Sequence, residues 1–433
     1  MLTHINGNLW IAIDMILAIA GLAIAYRLNP FPAEVASVHL HPGWHTALFV
    51  FGIVAGAHVF GLHHPHLDRD SRGMMVKVFF VVILASVFVL TAAGLVFFDR
   101  IGRHILFLSA GATWVLLVAT RIGFWRLTRQ HRPRIGLLGT DIFYERAQIF
   151  LQSHARPITV KSLPTSEQNL GDWALEQKLD EVIVHAAALE NTDQQLLDCL
   201  DRGIPVRSYS EFVEQHYRLV PVEEIDSRWF LNTAMEGVHP HFRIAKRFLD
   251  IAVALVGFVF AAPILILAAI LIRLESPGNI FYSQVRVGLH NRQFRIYKLR
   301  TMRNDAEKNG KAQWAKQGDA RVTKVGKFLR KTRIDELPQF WNILRGDMAF
   351  IGPRPERPEF TDDLSDQIPF YEKRHMVKPG LTGWAQINYP YGASVDDARN
   401  KLKYDLYYVK NACLELDLHI VVRTIGAIMK GAR

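Results

Sequence analysis

The sequence predicts a membrane α/β protein in three parts. These are a four-helix transmembrane bundle (residues 1–130), a parallel α/β domain (131–238) and a mostly helical C-terminal domain with one more membrane segment (239–433). Three observations predict it. Four long apolar runs fill the first third of the chain. Strand and helix patterns then alternate, as in a parallel sheet. A fifth apolar run follows, centred on a proline and flanked by cations. At 433 residues the chain exceeds one ordinary domain. Its formal charge of +10 points to an anionic partner: nucleic acid, a membrane surface or phosphorylated substrates. Cys199 and Cys413 form no CxxC pair, so neither a disulfide framework nor a zinc motif is indicated.

The first four runs span residues 9–28, 44–62, 74–98 and 104–125. Each approaches or exceeds the ~20 residues that cross a bilayer as a helix. Asp14, His58, Lys77 and Arg121 lie mostly near run ends, where charged tips can snorkel to water. Trp10, Trp44 and Trp125 read as interfacial anchors. Arg121, Arg126, Arg129, Arg132 and Arg134 crowd the exit of the fourth run, which places that end in the cytoplasm. Four crossings then leave both ends of this unit cytoplasmic, and Arg69, Arg72 and Lys77 between runs two and three agree. His63, His64 and His66 lack accompanying acids or cysteines and read as a solvated loop rather than a metal site.

RIGLLGT (134–140) reads as a buried strand and glycine turn, with a helix from Tyr144. Further strands are expected at 158–163, 181–185 and 205–209, and an amphipathic helix at 193–201. Gly136 and Gly139 give only GxxG, without the extra glycine that admits a pyrophosphate. A structural or regulatory module, for example one for dimerisation, is favoured over a working dinucleotide site.

The fifth run, 248–272, contains Asp250 and is centred on Ala262-Pro263. Arg243, Lys246 and Arg247 precede it; Arg273, Arg286, Arg292 and Arg295 follow. A spanning helix would put one cluster outside, and Pro263 would break or kink it at the midpoint. A bent segment that enters and returns to the cytoplasmic face avoids both problems. The simpler alternative is a kinked fifth crossing that sends the C-terminal part to the periplasm.

Residues 286–345 carry 16 Lys and Arg against 5 Asp and Glu. No helix-turn-helix pattern appears and few aromatics interleave, which argues against nucleic acid. Next to a membrane segment, phosphorylated substrates and lipid headgroups are the better anions. The core of the region is RKTRIDELPQFWNILRGDMAFIGPRP (330–355). Asp335 and Glu336 follow a run of cations. Pro338 suits a first helical turn; Leu337, Phe340, Trp341 and Leu344 recur at helical spacing, and Gly346 can end the helix. An acidic pair there could hold a phosphate and a divalent metal together, or merely complement a helix dipole at the surface. Arg354 is fixed between two prolines and suits a bidentate phosphate contact. KPGLTGWAQIN (378–388) supplies a glycine-rich turn for ligand approach or for packing. Amphipathic helices are expected beyond Arg399, through Leu402, Leu406, Val409 and Leu414; 420–429 is too short to span.

From Phe242 onward the chain resembles the bacterial sugar transferases, the polyprenyl-phosphate glycosyl-1-phosphate transferases that start exopolysaccharide-type glycan synthesis. The resemblance rests on KRFLD, the Pro-centred segment, KLRTM, RIDELPQFWNIL, GDMAFIGPRP and PGLTGWAQIN, in that order. The layout ahead of it is similar to the long form of the family, with four membrane helices and a Rossmann-like, CoA-binding-like domain. The resemblance implies transfer of a sugar-1-phosphate from a UDP-sugar to undecaprenyl (polyprenyl) phosphate, with release of UMP. It implies Asp335 as nucleophile through an aspartyl-phosphosugar intermediate. It implies Glu336 as the Mg²⁺ ligand and Arg330 and Arg354 as phosphate binders; Lys298, Arg300 and Arg333 join them as candidate substrate-binding residues. It implies a re-entrant helix about 248–272 broken at Pro263, an inner-membrane location with the catalytic domain on the cytoplasmic face, and a homodimer. Two departures stand out. Many members carry Ser-Pro at the break where this chain has Ala262-Pro263, and many read Asn-Gly-Arg where this chain has Asn388-Tyr389-Pro390. The alternative function is a non-catalytic membrane scaffold of a polysaccharide assembly system.

Overall fold

A computed structural model describes residues 7–28, 44–59, 62, 71–95, 103–129, 134–153, 159–162, 169–185, 193–227, 229–231, 240–303, 321–390, 392 and 394–429. His63, His64, His66, Arg69 and Arg132 lie outside the described residues, as do the side chains of Arg72, Trp125 and Arg129. The chain divides into two compact units, Met1–Val206 and Arg207–Arg433.

The first unit opens with α1 (Gly7–Leu28), α2 (Trp44–Val59), α3 (Ser71–Leu95) and α4 (Arg103–Arg129). α1 packs on α2 and α4, and α3 packs on α2 and α4. Small residues set the close approaches: Gly52 and Gly56 of α2 lie directly against Ala85 and Val81 of α3. Among the described residues, three helices are long and apolar enough to cross a membrane: Asn8–Leu28, His104–Phe124 and Phe242–Glu275. The second and third runs give shorter apolar helices, Trp44–His58 and Lys77–Ala92.

The polar residues correct the snorkelling expectation. Asp14 and Arg121 are fully buried, and Arg121 Nη2 donates to both Asp14 oxygens at 2.7 and 2.8 Å. The guanidinium also lies 3.8 Å from the Trp10 ring centroid, and Trp10 is buried rather than an exposed anchor. Lys77 is buried too. In an apolar medium, charges that find each other across helices avoid the cost of standing alone. No spacing rule reveals a pair 107 residues apart.

The α/β portion follows as β1 (Arg134–Leu138), α5 (Asp141–Ser153), β2 (Thr159–Ser162), α6 (Leu170–Glu176), β3 (Glu181–Val184), α7 (Asp193–Asp201) and β4 (Val206–Ser208). The sheet order is β2-β1-β3-β4, with β1 parallel to β2 and to β3, as the alternation implied. Leu170, Trp173, Val182, Val184 and Leu196 form its core. Gly136 is packed: a Cβ there would lie 2.7 Å from Leu179 and 3.3 Å from Trp173. Its lack of a side chain serves the core rather than an open phosphate cradle.

The second unit begins with α8 (Tyr209–Tyr217) and then the long α9 (Pro240–Glu275), 36 residues that remain helical through Pro263. Asp250, Ala254, Ala261, Ala268 and Ile272 form one buried stripe along α9, while Phe248, Val256, Val259, Phe260, Ile266 and Leu274 stay exposed on its other faces. Near one end, Arg247 donates to the carbonyls of Ile343 and Leu344 at 2.6 and 2.8 Å. At the other, Glu275 accepts from the amides of Lys324 and Val325 at 2.7 and 3.1 Å. Polar groups of the same unit therefore grip the helix at both ends.

The rest of the unit comprises the antiparallel hairpin β5 (Phe281–Val287) and β6 (Gln293–Leu299), then α10 (Lys324–Thr332) and α11 (Gln339–Arg345). β7 (Ala349–Ile351) pairs in parallel with β8 (Gly380–Thr382). α12 (Pro358–Gln367), α13 (Trp384–Asn388), α14 (Val395–Asn411) and α15 (Leu414–Met429) complete it. Leu402, Leu406 and Val409 are buried as the pattern required. The glycine-rich turn packs backbone on backbone, since a Cβ on Gly380 would sit 2.1 Å from Gly352 N. Close strand packing, not an open ligand approach, explains those glycines.

Candidate active site

Local chain geometry delivers the acidic pair. α10 stops because Arg333 turns left-handed, at φ 59° and ψ 14°. A 3₁₀ segment, Ile334–Glu336, follows, and α11 starts only after Pro338 and ends on the left-handed Gly346. The acidic pair thus lies in a tight turn just ahead of a short helix, and that helix starts just after Pro338 and stops at Gly346 as the sequence implied. Leu337, Phe340 and Leu344 face α9, but Trp341 is exposed. Asp335 and Glu336 are both only 7% exposed, so they are not a solvated complement to a helix dipole.

Glu336 is the electrostatic hub. Lys298 on β6 donates to its Oε1 at 2.9 Å, and Arg354 donates to the same oxygen at 2.8 Å. Arg333 stands 3.6 Å from Oε2. Burial alone would raise this carboxyl, but Arg354, Lys298 and Arg333 outweigh it and hold Glu336 well below the usual carboxylate range. Burial in turn lowers the Lys298 ammonium, against the pull of Glu336. Asp335 differs. Its Oδ1 is buried and has no hydrogen-bond partner among the described residues. Burial, and then the charge of Glu336, push it up to about 6, against the opposing pull of Lys298, Arg330 and Arg333. Two adjacent carboxylates therefore occupy different protonation regimes: one is firmly anionic, and the other titrates near neutrality with an oxygen to spare.

Arg330 donates through Nε to Thr301 of the KLRTM turn at 2.9 Å. Arg300 donates to the Ser276 and Pro277 carbonyls at 2.7 and 2.9 Å, so it braces the end of α9. Lys298, Arg333 and Arg354 converge on Glu336, and Pro263 lies within α9.

Several residues behind the site were not singled out in the sequence. Asn342, fully buried on α11, donates to Arg295 O at 2.7 Å and accepts from Tyr297 N at 3.1 Å, which fixes the β6 register next to Lys298. Arg286 donates to Pro355 O and Arg374 to Arg354 O, each at 3.1 Å. Asn342 sits inside the quoted QFWNIL motif, a usable signal. Arg374 lies in the charged stretch YEKRHM, where nothing local marks it as buried.

The arrangement can present a carboxylate nucleophile to a phosphoryl group beside fixed positive charge. The family described as "Bacterial sugar transferase" matches residues 241–431. Over 192 residues the chain is 50% identical to the UDP-N-acetylgalactosamine-undecaprenyl-phosphate N-acetylgalactosaminephosphotransferase of Aeromonas hydrophila, covering 44% of this chain and 45% of that protein. It is 35% identical over 241 residues to the UDP-glucose:undecaprenyl-phosphate glucose-1-phosphate transferase of Xanthomonas campestris pv. campestris, covering 54% and 50%. It is 43% identical over 188 residues to the protein of the same name from Caulobacter vibrioides, covering 43% of this chain and 70% of that one. The chain spans about half the length of the first two relatives. With the motifs, the fold around them and these similarities in agreement, the chain belongs to the bacterial sugar transferase family.

Proposed function

We propose that this chain transfers a sugar-1-phosphate from a UDP-sugar to undecaprenyl or another polyprenyl phosphate, the first membrane step of exopolysaccharide or a related glycan. The observation that carries the reading is the buried Asp335 Oδ1, without a hydrogen-bond partner among the described residues, next to a Glu336 anchored by three cations. Asp335 attacks the phosphorus that bears the sugar. The P–O bond to the uridylate breaks, UMP leaves, and an aspartyl-phosphosugar remains. An oxygen of the lipid phosphate then attacks the same phosphorus, releasing the Asp335 carboxylate and giving a polyprenyl-diphosphate sugar. Arg354, Lys298 and Arg333 offset the negative charge that would otherwise repel the nucleophile, with Arg330 and Arg300 supporting the turn between them.

Mg²⁺ is part of the proposal. The residues fit a hard cation, because Asp335 Oδ1 has no hydrogen-bond partner among the described residues and Glu336 Oε2 has Arg333 only at 3.6 Å. Glu336 would hold the ion, which when bound supplies charge neutralisation on the diphosphate. The same reading includes four N-terminal crossings, a Rossmann-like domain, a homodimer, and an inner-membrane location with the catalytic domain (239–433) on the cytoplasmic face. It makes α9 a re-entrant segment. Support comes from the two grips on α9, at Arg247 and at Glu275, since a spanning helix would leave one of them on the far side of the bilayer.

UMP release from a UDP-sugar, dependent on polyprenyl phosphate and Mg²⁺ and lost in Asp335→Asn, tests the proposal. A panel of UDP-sugars in the same assay identifies the donor. Wild-type glycan output in cells carrying only Asp335→Asn would favour the scaffold reading instead.

A further inference from the structure

Arg354 reaches Glu336 from a turn held from behind by two guanidiniums, the buried Arg374 and the half-buried Arg286. Arg374, 4% exposed, donates Nη2 to the Arg354 carbonyl at 3.1 Å. The same guanidinium donates Nε and Nη2 to Asp405 Oδ2 at 3.1 and 2.7 Å, and Nη1 to the Tyr371 hydroxyl at 2.7 Å. Asp405 is 1% exposed and belongs to α14; Tyr371 opens the 3₁₀ segment Tyr371–Met376. One planar group therefore ties three separate segments together at a single backbone oxygen. Pro353 and Pro355 fix φ on either side of Arg354, so the main remaining freedom of this turn is rotation of its peptide planes. Arg286 restrains the next plane by donating to Pro355 O at 3.1 Å.

We infer that Arg374 and Asp405 are positioning residues that aim Arg354 at the carboxylate pair. The inference rests on the proposed phosphotransfer reading. A buried ion pair is weak evidence for stability, because desolvation offsets most of its attraction. Here the pair ends on the backbone of a residue that enters the site. Neither residue touches the acidic pair; both act through the direction in which Arg354 leaves its turn.

The test uses the full chain in membranes, with Asp405→Asn, Arg354→Ala and the double variant. Steady-state UMP release and backbone hydrogen exchange of the segment 352–357 are measured. Asp405→Asn is expected to lower kcat/KM by about 10- to 100-fold, the effect of displacing a contact group by about an ångström. It is also expected to speed exchange within 352–357 selectively, and to cost nothing further in the Arg354→Ala background. Multiplicative losses in the double variant, or unchanged exchange at 352–357, would overturn the inference. Should Asp405→Asn fail to fold, Tyr371→Phe, which removes one bond to Arg374, replaces it with the same readouts and a smaller loss in the same direction. If the wild-type chain releases no UMP, the phosphotransfer reading fails, and the exchange measurement alone decides whether the clamp holds the turn.

Discussion

Asp335 is set apart from Glu336 by a buried Oδ1 without a hydrogen-bond partner among the described residues. Its neighbour Glu336 takes the hydrogen bonds of Lys298 and Arg354, leaving a buried carboxylate oxygen unmatched. A carboxyl raised to about 6 must lose its proton before it attacks, so kcat/KM should rise with pH through about 6 and then level off. The stability consequence has the opposite sign. Between about pH 4 and 6 the native state binds the Asp335 proton more tightly than the unfolded chain, and that stabilisation is lost as pH rises through 6. Asp335→Asn should therefore be more stable than wild type at pH 7.5, by on the order of 3 kcal/mol, with the difference vanishing below pH 4. Denaturant titrations at both pH values measure it. Glu336→Gln should do the reverse, losing turnover and about 2–3 kcal/mol as its cations face one another without a counter-charge. The acidic pair was legible in the sequence, because two carboxylates behind a cationic run are conspicuous. Its division into unequal partners was not, because Lys298 comes from 38 residues upstream and Arg354 from 18 downstream.

α9 shows how an element serves two media. Its buried stripe is built largely of alanine, while bulky apolar side chains cover the rest. At Gly257 the ring of Phe340 fills the space where a side chain would be, 2.7 Å from an ideal Cβ. Gly257→Ala should push α11 off the helix and cost about 1–3 kcal/mol, readable as a lower melting temperature in detergent. The apolar run was plain in the sequence, but the stripe was not, since alanine and glycine at that spacing mean nothing until Phe340 and Met348 pack there. The stretch ahead of α9 carries a similar lesson. Trp229 donates to Glu214 at 2.7 Å, Lys410 donates to the other oxygen of Glu214 at 2.9 Å, and Trp384 of the WAQ motif donates to Arg218 O at 2.8 Å. Val220, Val222 and Trp229 therefore form part of the second unit's core, beside Leu364, Tyr371 and Leu402. Trp229→Ala should destabilise that unit by about 3–5 kcal/mol. Composition could not signal this, because the partners are far along the chain.

At the scale of the whole molecule, apolar helices and a small parallel sheet precede a unit that carries the cation-ringed carboxylate pair. The apolar helices and the parallel strands were legible because hydropathy and strand–helix alternation are local properties. Charge pairing inside the apolar helices was not, as Asp14 and Arg121 demonstrate. The topology has its own test: a reporter fused after Arg433 should read cytoplasmic, and a periplasmic signal would contradict the re-entrant α9. The proposed reaction turns on a covalent phosphosugar formed on Asp335. The most direct measurement is mass spectrometry of the full chain in membranes, incubated with its UDP-sugar and Mg²⁺ but without polyprenyl phosphate. The expected result is UMP in no more than stoichiometric amount and a sugar-phosphate adduct on the peptide containing Asp335, discharged when polyprenyl phosphate is added and absent in Asp335→Asn. A wild-type enzyme that turns over with no such adduct, together with an Asp335→Asn variant of undiminished activity, would contradict it.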